Sequence, residues 1–373
     1  MISNKPLVSV LVPICNVEQY LDECLASLQQ QTFKNFEVIC INDGSTDNSS
    51  SIIQKYIDSD QRFKVIDKPN SGYGDSMNKG LEAAVGKYIS ILESDDFIDA
   101  DMLEFMVGEA EKYNLDVMKT NFWLYWSNPI ASTGFRENVY HEAISCPMVE
   151  AGVHRPIDFP EIFWSKPSIW SAIYLKEFLD KNNIRFLPTP GASFQDTSFT
   201  FKVFSLAKRV KYSMRPFLHY RQDNEKSSVN NPTKVFCVCD EHAEMKKFLD
   251  EGGLDNSRSL NIIRVKVKFY NYLWNLHRLS PELKDSFIQR FSKEMNEEIA
   301  AGFVDDSGNV VNGNIGLNSH EISEIYAIAQ DPCYYLMPFI CDGNRLHTIK
   351  LYYKNGGLSY VTRLLKEKLM RRG

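Results

Sequence analysis

The sequence has no long hydrophobic run and no excess of positive charge. Charged residues cut every apolar run well before the roughly 18 positions that a membrane-spanning helix needs, so we expect any membrane contact to be peripheral. Lys and Arg number 42 against 48 Asp and Glu, which gives a net charge of −6. Because this chain lacks a positive field that attracts phosphates, it is not expected to bind nucleic acid.

The cysteines lack the spacing of a disulfide framework or of a zinc site. Eight of them are scattered along the chain, and no secretory signal with a long apolar core precedes them. Cys237 and Cys239 form a close pair, but no second Cys or His pair at zinc spacing lies nearby. We interpret them as small buried side chains, and we predict reduced thiols and a cytoplasmic location.

The remaining composition is typical of a folded soluble protein, with 43% hydrophobic and 24% charged residues. At roughly 100 to 200 residues per domain, a length of 373 residues predicts two domains. The polar stretch 224–232 ends in proline and is a candidate linker. We therefore predict an α/β domain at 1–230 and a mainly helical domain at 231–373.

Short apolar segments alternate with amphipathic segments in the N-terminal third, which is typical of a parallel sheet covered by helices. The predicted strands are 8–14, 36–42, 63–66, 86–92 and 116–121, and the predicted helices are 18–31, 49–59, 75–84 and 102–113. Segment 123–165 has no clear period and several Pro and Gly residues, which predicts an insertion or mobile loop. From about residue 233 the pattern is mainly helical.

Acidic residues follow two of the predicted strands. Ligands of open α/β sheets bind at the carboxyl ends of the strands, so these positions are the first candidates for function. Asp43 follows the second strand, and the segment Glu93–Asp96 follows the fourth. Three carboxylates within four positions repel one another unless a cation neutralises them, which indicates a divalent metal. A solvated turn with a helix cap is the alternative interpretation.

Four segments together resemble the family 2 inverting nucleotide-sugar glycosyltransferases of bacterial polysaccharide biosynthesis. They are VSVLVPICN at 8–16, VICINDGSTD at 38–47, the glycine-containing loop at 70–80 and GKYISILESDD at 86–96. The resemblance is strongest over residues 6–105 and weaker over 164–230. It implies a GT-A fold, which is a Rossmann-like nucleotide-diphospho-sugar transferase domain, followed here by the helical domain.

The resemblance implies a nucleoside pocket at the ends of the first two strands. Pro13 and Cys15 would line it, and Asp43 would accept the imide N–H of a uracil base. Asn70 and Gly72 would complete the nucleotide-sugar site from the next loop. For Asp43, an Asx turn within the segment Asp-Gly-Ser-Thr-Asp is the competing interpretation.

The family's D-x-D motif reads Glu93-Ser94-Asp95 here, so its first member departs from the pattern. The resemblance implies that Glu93 and Ser94 contact the nucleotide-sugar, and that Asp95 binds Mn²⁺ or Mg²⁺ between the two phosphates. Asp96 would support the metal site or cap a helix. Met77 stands where many members have a phosphate-binding Arg, so neutralisation would depend on the metal and on Lys79 or a basic residue from the second half.

A second motif, at 190–199, resembles the family's E-D pair. Its Asp196 would be the general base that takes the proton of the acceptor hydroxyl, with Gln195 in place of the usual Glu. A helix-capping role for Asp196 is compatible with that function. Trp170, His219 and Arg221 are candidates for contacts with the acceptor or the phosphates, although a lone Trp or His is more often a core residue.

These features predict a metal-dependent transferase that moves a hexose or N-acetylhexosamine from a UDP-sugar to a glycan or lipid-linked glycan. The basic amphipathic segment 358–372 would allow peripheral contact with the inner face of the cell membrane, or would dock on its own domain. A catalytically silent nucleotide-sugar-binding subunit is one alternative, motivated by Glu93, Met77 and Gln195. A nucleotidyltransferase is another, but the first strand lacks the glycine-rich basic loop that such enzymes need.

Overall fold

The computed structural model describes residues 5–128, 138–191, 194–224, 234–254, 257–304, 310–311 and 314–332. The chain divides into two units, one formed by residues 1–230 and 240–252 and the other by residues 231–239 and 253–373. The domain boundary at 230/231 stays a prediction.

The first unit is built on a mixed sheet of nine strands. The strands are β1 Val8–Ile14, β2 Phe36–Asp43, β3 Phe63–Lys68, β4 Tyr88–Ile91, β5 Phe97–Ile98, β6 Val117–Tyr125, β7 Asn138–His141, β8 Ala172–Leu175 and β9 Val210–Arg221. The order is β3-β2-β1-β4-β8-β6-β9-β5, and β7 pairs with β6. Strands β3, β2, β1 and β4 are parallel, and β8 runs antiparallel to both of its neighbours.

Helices cover this sheet because the parallel strands are apolar on both faces. The described helices of this unit are α1 Glu18–Gln29, α2 Ser49–Ser59, α3 Tyr73–Ala83, α4 Met102–Tyr113, α5 Cys146–Glu150, α6 Lys176–Lys181 and α7 Gln195–Leu206, and α8 Cys237–Gly252 belongs to it from Asp240 onward. All seven residues of β1 are buried. Helix α1 buries Leu21, Cys24, Leu25 and Leu28, which share one helical face.

Three predictions for the first unit need correction. Segment 123–165 is not a plain loop, because β6 extends to Tyr125 and the segment contains β7, α5 and the 3₁₀ helices Pro156–Asp158 and Pro160–Phe163. Elements of three to five residues are too short to show a period in the sequence. Strand β4 begins at Tyr88, two residues later than predicted. Asp96 does not cap a helix, since Asp101 is the N-cap of α4.

The second unit is helical, as predicted. Its helices are α9 Ser257–Arg278, α10 Pro281–Ala300 and α11 Ser319–Gln330, with a small hairpin of β10 Val310–Val311 and β11 Asn314–Ile315. Tyr272, Phe287 and Phe291 pack together in its core. The basic segment 358–372 lies outside the described residues. None of the helices in the described ranges is both long and apolar enough to cross a bilayer.

Candidate active site

Asp43 closes β2 and ties it to the loop before α3. Its side chain is only 6% exposed. One carboxylate oxygen accepts a hydrogen bond from the amide of Ser71 at 2.9 Å, and the other from the amide of Gly72 at 3.0 Å. The carboxylate also forms an ion pair with Lys68. The local turn bond to Ser45 is made by Asn42, so the Asx-turn interpretation of Asp43 is wrong.

The predicted nucleoside-pocket residues lie together at this edge of the sheet. Asn70 donates from Nδ2 to the carbonyl oxygen of Asp43 at 3.0 Å and to the Cys15 sulfur at 3.4 Å. Pro13 lies near the end of the adjacent strand β1, beside Ile41 of β2. A carboxylate, an amide and a thiol therefore surround the carboxyl ends of β1 and β2.

Gly72 connects this pocket to the loop that precedes α7. Its φ of +97° favours glycine, and a Cβ at this position would lie 2.7 Å from the backbone nitrogen of Gly191. The next amide, that of Tyr73, donates to the Gly191 carbonyl at 2.9 Å. The loop that contains Gly72 and the segment before Asp196 are therefore fixed to each other through their backbones.

The acidic cluster consists of Glu93, Asp95 and Asp96 and lies just after β4. Tyr73 donates its hydroxyl proton to Glu93 Oε1 at 2.6 Å. Burial, with smaller contributions from the charges of Asp95 and Asp196, raises the pKa of Glu93 to about 8. Burial, followed by the charge of Asp95, also raises the pKa of Asp96 well above its usual range. Burial therefore favours the protonated forms of Glu93 and Asp96, and the negative charge of Asp95 adds to this effect.

The residues present fit a site in which a divalent cation is bound partly by protein carboxylates and partly by phosphate oxygens of a substrate. Asp96 Oδ2 is buried and has no hydrogen-bond partner among the described residues, while Oδ1 accepts from the Arg221 amide at 2.8 Å. Asp95 accepts from Asn224 through Oδ2 at 2.8 Å. Within the described ranges no three His, Cys, Asp or Glu side chains converge as ligands. Mg²⁺ and Mn²⁺ sites commonly use one or two carboxylates with phosphate oxygens and water, which suits this arrangement.

Asp196 lies in the first turn of α7, within electrostatic reach of Glu93 and Tyr73. Burial raises its pKa to about 6, and the positive charge of Lys166 opposes that rise. Gln195 Nε2 donates to Thr189 Oγ1 at 2.9 Å and to the Gly191 carbonyl at 3.3 Å. Asp196 is thus a carboxyl group whose pKa is close to the operating range of a general base.

His219, Arg221 and Trp170 have structural contacts that sequence analysis could not assign. Both ring nitrogens of His219 are hydrogen-bonded, to Asn138 at 2.7 Å and to Asp99 at 3.0 Å. Trp170 is 5% exposed, and one face of its ring stacks on Tyr220 at 4.9 Å. Their proposed contacts with acceptor or phosphate stay predictions.

Arg221 lies against the acidic cluster but is already engaged there. Its Nε donates to the carbonyl oxygen of Asp95 at 2.8 Å, and its guanidinium also bonds to Ser127 and Glu23. It packs between the rings of Tyr20 and Tyr125. Arg221 therefore shapes the turn that carries Asp95.

Sequence analysis missed Tyr73, Tyr220 and Lys166, which line the same site. Tyr73 follows Gly72 in the glycine-containing loop at 70–80, and Lys166 lies in the segment 164–170, which has a tryptophan at each end. Lys166 Nζ lies 3.9 Å from the ring centroid of Tyr220. The only signal available was a lysine between two tryptophans, which has no specific spacing rule.

The chain can now be compared with known proteins. The family model described as Glycosyl transferase family 2 matches residues 9–130, which contain β1 except Val8, β2 to β4, Asp43 and the acidic cluster. Residues 9–130 form a family 2 glycosyltransferase domain. The predicted family and enzyme class, a glycosyltransferase, are confirmed, which excludes the nucleotidyltransferase alternative.

Relatives of this glycosyltransferase and solved structures support the same conclusion. The chain is 28% identical over 279 residues to the uncharacterized glycosyltransferase EpsJ of Bacillus subtilis, covering 72% of this chain and 70% of EpsJ. It is 32% identical over 222 residues to the putative glycosyltransferase EpsH of the same organism, covering 58% of this chain and 61% of EpsH. The alignment thus spans less than two thirds of EpsH.

Among solved structures, S. aureus TarS 1–349 in complex with UDP-GlcNAc is similar with a TM-score of 0.61 at 18% identity. The similarity covers 88% of this chain and 92% of that one. The predicted fold, a GT-A-type α/β domain with a helical C-terminal region, is confirmed.

Proposed function

We propose that this glycosyltransferase moves a hexose or N-acetylhexosamine from a UDP-sugar to a glycan or lipid-linked glycan acceptor, with inversion at the anomeric carbon. One observation carries the proposal: the backbone contacts between Gly72 and Gly191 join the pocket at Asp43 to the segment that leads to Asp196. A nucleoside pocket, an acidic cluster and a carboxyl with a pKa of about 6 therefore share one site.

Uracil is the base that best suits the pocket. The Asp43 carboxylate is held in place by two backbone amides, and a fixed acceptor at a strand end can receive an imide N–H. Cys15 and Asn70 lie beside it and would contact the nucleoside. The binding of UDP-GlcNAc by the structural relative TarS supports this choice of donor.

Asp95, supported by Asp96, would hold Mn²⁺ or Mg²⁺ between the donor phosphates. When bound, such an ion offsets the charge that develops on a departing nucleoside diphosphate. Glu93 is held by Tyr73 and would contact the ribose. Asn224 and Arg221 keep the turn of Asp95 in place from the other side.

Asp196 would act as the general base in a single displacement. The acceptor oxygen forms a bond to the anomeric carbon while the bond from that carbon to the phosphate oxygen breaks, and its electron pair leaves with UDP. The acceptor hydroxyl proton passes to the Asp196 carboxylate. An α-linked donor therefore gives a β-linked product without a covalent sugar intermediate.

Polysaccharide assembly at the cytoplasmic face of the membrane is the setting that we propose. The glycosyltransferase relatives EpsJ and EpsH support a bacterial glycan pathway, and the basic segment 358–372 would provide peripheral membrane contact. The sugar itself is selected by a few side chains that vary within such folds.

The test is UDP release from a panel of UDP-sugars, with and without Mn²⁺, for the wild type, Asp95→Ala and Asp196→Asn. We expect release from at least one donor, loss of that release in Asp95→Ala, and donor binding without turnover in Asp196→Asn. Lys55→Met, which removes an exposed charge on α2, is the matched control. Turnover that survives Asp196→Asn would contradict the assigned base, and a wild type that binds UDP without any turnover would favour the silent subunit.

A further inference from the structure

The ammonium group of Lys166 lies near the acidic cluster and forms no salt bridge with any described carboxylate. Its side chain is exposed, and its Nζ lies 3.9 Å from the ring centroid of Tyr220. Among the residues that the structure describes, no Asp or Glu lies within salt-bridge distance of this nitrogen. We propose that Lys166 binds the diphosphate of the nucleotide-sugar donor, a role that rests on the function proposed above.

Other cations near the site are already committed to carboxylates. Lys68 pairs with Asp43 and Asp75, Lys79 pairs with Asp75, and Arg221 pairs with Glu23. Met77, at the position expected for a phosphate-binding Arg, is buried and uncharged. Binding a phosphate through one of those cations would first require an existing ion pair to break. Lys166 needs no such step, because within the described ranges its nitrogen lies over the Tyr220 ring and forms no salt bridge.

The position of Lys166 suits the leaving group. Its charge acts on Asp196, the proposed base, and on Asp96, the neighbour of the proposed metal ligand Asp95. An ammonium group that both carboxylates influence would be close to the phosphates if the donor binds at the acidic cluster. There it would donate hydrogen bonds to phosphate oxygens and offset the negative charge that grows as UDP leaves.

Lys119 anchors the turn that carries Lys166. It lies on β6, is 2% exposed, and donates to the Ser168 carbonyl at 2.6 Å, to Ser168 Oγ at 2.8 Å and to Ser171 Oγ at 3.1 Å. Burying an ammonium group among neutral acceptors costs free energy of folding, so we infer that Lys119 has a structural role at this position. Its bonds hold the backbone two residues after Lys166, which makes Lys119 a positioning residue.

Calorimetric titration of the full chain with UDP and with uridine, in the presence of Mn²⁺, tests the proposal. We expect Lys166→Met to weaken UDP binding about tenfold, as expected for loss of a charge-assisted hydrogen bond, and to leave uridine binding unchanged. Lys166→Arg keeps the charge and should retain most of the affinity. Lys87→Met, an exposed charge at the start of β4, is the control and should match the wild type.

Lys119→Met should weaken the binding of UDP but not of uridine. In the double variant it should cause no further loss of affinity beyond that of Lys166→Met, because both changes remove the same contact with the diphosphate. Wild-type affinity for UDP in Lys166→Met, or an equal loss for uridine, would overturn the role of Lys166. A loss of UDP affinity that occurs in Lys79→Met but not in Lys166→Met would assign the diphosphate-binding role to Lys79 on α3 instead. A wild type that binds neither UDP nor uridine would instead overturn the UDP-sugar function itself.

Discussion

The hydroxyl of Tyr73 donates a 2.6 Å hydrogen bond to Glu93 Oε1 and so connects the first residue of α3 with the end of β4. This bond favours the ionised form of Glu93 against the effect of burial, which raises its pKa to about 8. The hydroxyl of Tyr73 therefore supports the negative charge of the residue that replaces the first Asp of the D-x-D motif.

Tyr73→Phe is expected to lower kcat/KM for donor cleavage about fivefold to tenfold, because a carboxylate in the site loses its hydrogen bond. The matched control is Tyr56→Phe, which removes a hydroxyl bond to the Asp22 carbonyl at the α1 and α2 surface. That control should keep full activity. Equal rates for Tyr73→Phe and wild type would show that Glu93 does not need this bond.

The pH dependence of kcat/KM should follow the ionisation of Asp196. Its pKa of about 6 means that the basic form is lost as pH falls through that value. We expect kcat/KM to fall about tenfold for each pH unit below 6 and to level off above 7. The profile is measured with saturating metal, and Lys166→Met should move the midpoint upward because a favourable positive charge is removed.

Asp196 should also lower the stability of the folded protein at neutral pH. Its folded-state pKa is raised above the unfolded value of about 3.9, so the fold binds the proton more tightly, and this stabilising contribution is lost as pH rises through 6. Asp196→Asn should therefore increase the free energy of unfolding at pH 7.5 by at most about 3 kcal/mol, and should raise the melting temperature accordingly. The shift should vanish near pH 4, and a lower melting temperature at pH 7.5 would contradict it.

Gly72→Ala is expected to disrupt the loop between the nucleoside pocket and α7. The new Cβ would meet backbone atoms of Thr189 and Gly191 at 2.7 to 2.8 Å, in a backbone conformation that side chains disfavour. We expect a loss of about 2 kcal/mol of stability and weaker UDP binding. Gly108→Ala, within α4 and with open space around it, should instead stabilise by about 0.5 kcal/mol. Thermal unfolding and UDP titration of both variants check this pair.

A buried ion cluster should control the stability of the helical unit. Arg264 is fully buried and makes two bonds to Glu298, at 2.7 and 2.6 Å. Among the described residues, Arg264→Met leaves that carboxylate buried with Lys268 as its remaining cation, which should cost about 3 kcal/mol in chemical denaturation. Lys246→Met, which breaks an exposed pair on α8, should cost less than about 0.5 kcal/mol.

Much of the fold and several site residues could be predicted because their signals are local. The buried runs of β1 and β2 and the acidic turn after β4 follow directly from residue order and from the chemistry of strand ends. The short elements between residues 123 and 165 could not be predicted, because their partners are distant in sequence. Strand β7, for example, exists through its pairing with β6.

By itself, the sequence determined the α/β alternation, the helical C-terminal region, and the candidacy of Asp43 and Asp95, since each rests on periodicity or on its place at a strand end. Asp196 became a candidate because its segment resembles the family's E-D motif. Only the tertiary structure decided which of their neighbours matter. Tyr73, Tyr220 and Lys166 meet the acidic cluster because strand pairing and the contact of Gly72 with Gly191 bring distant segments together. Such proximity depends on three-dimensional packing, which no local spacing rule encodes.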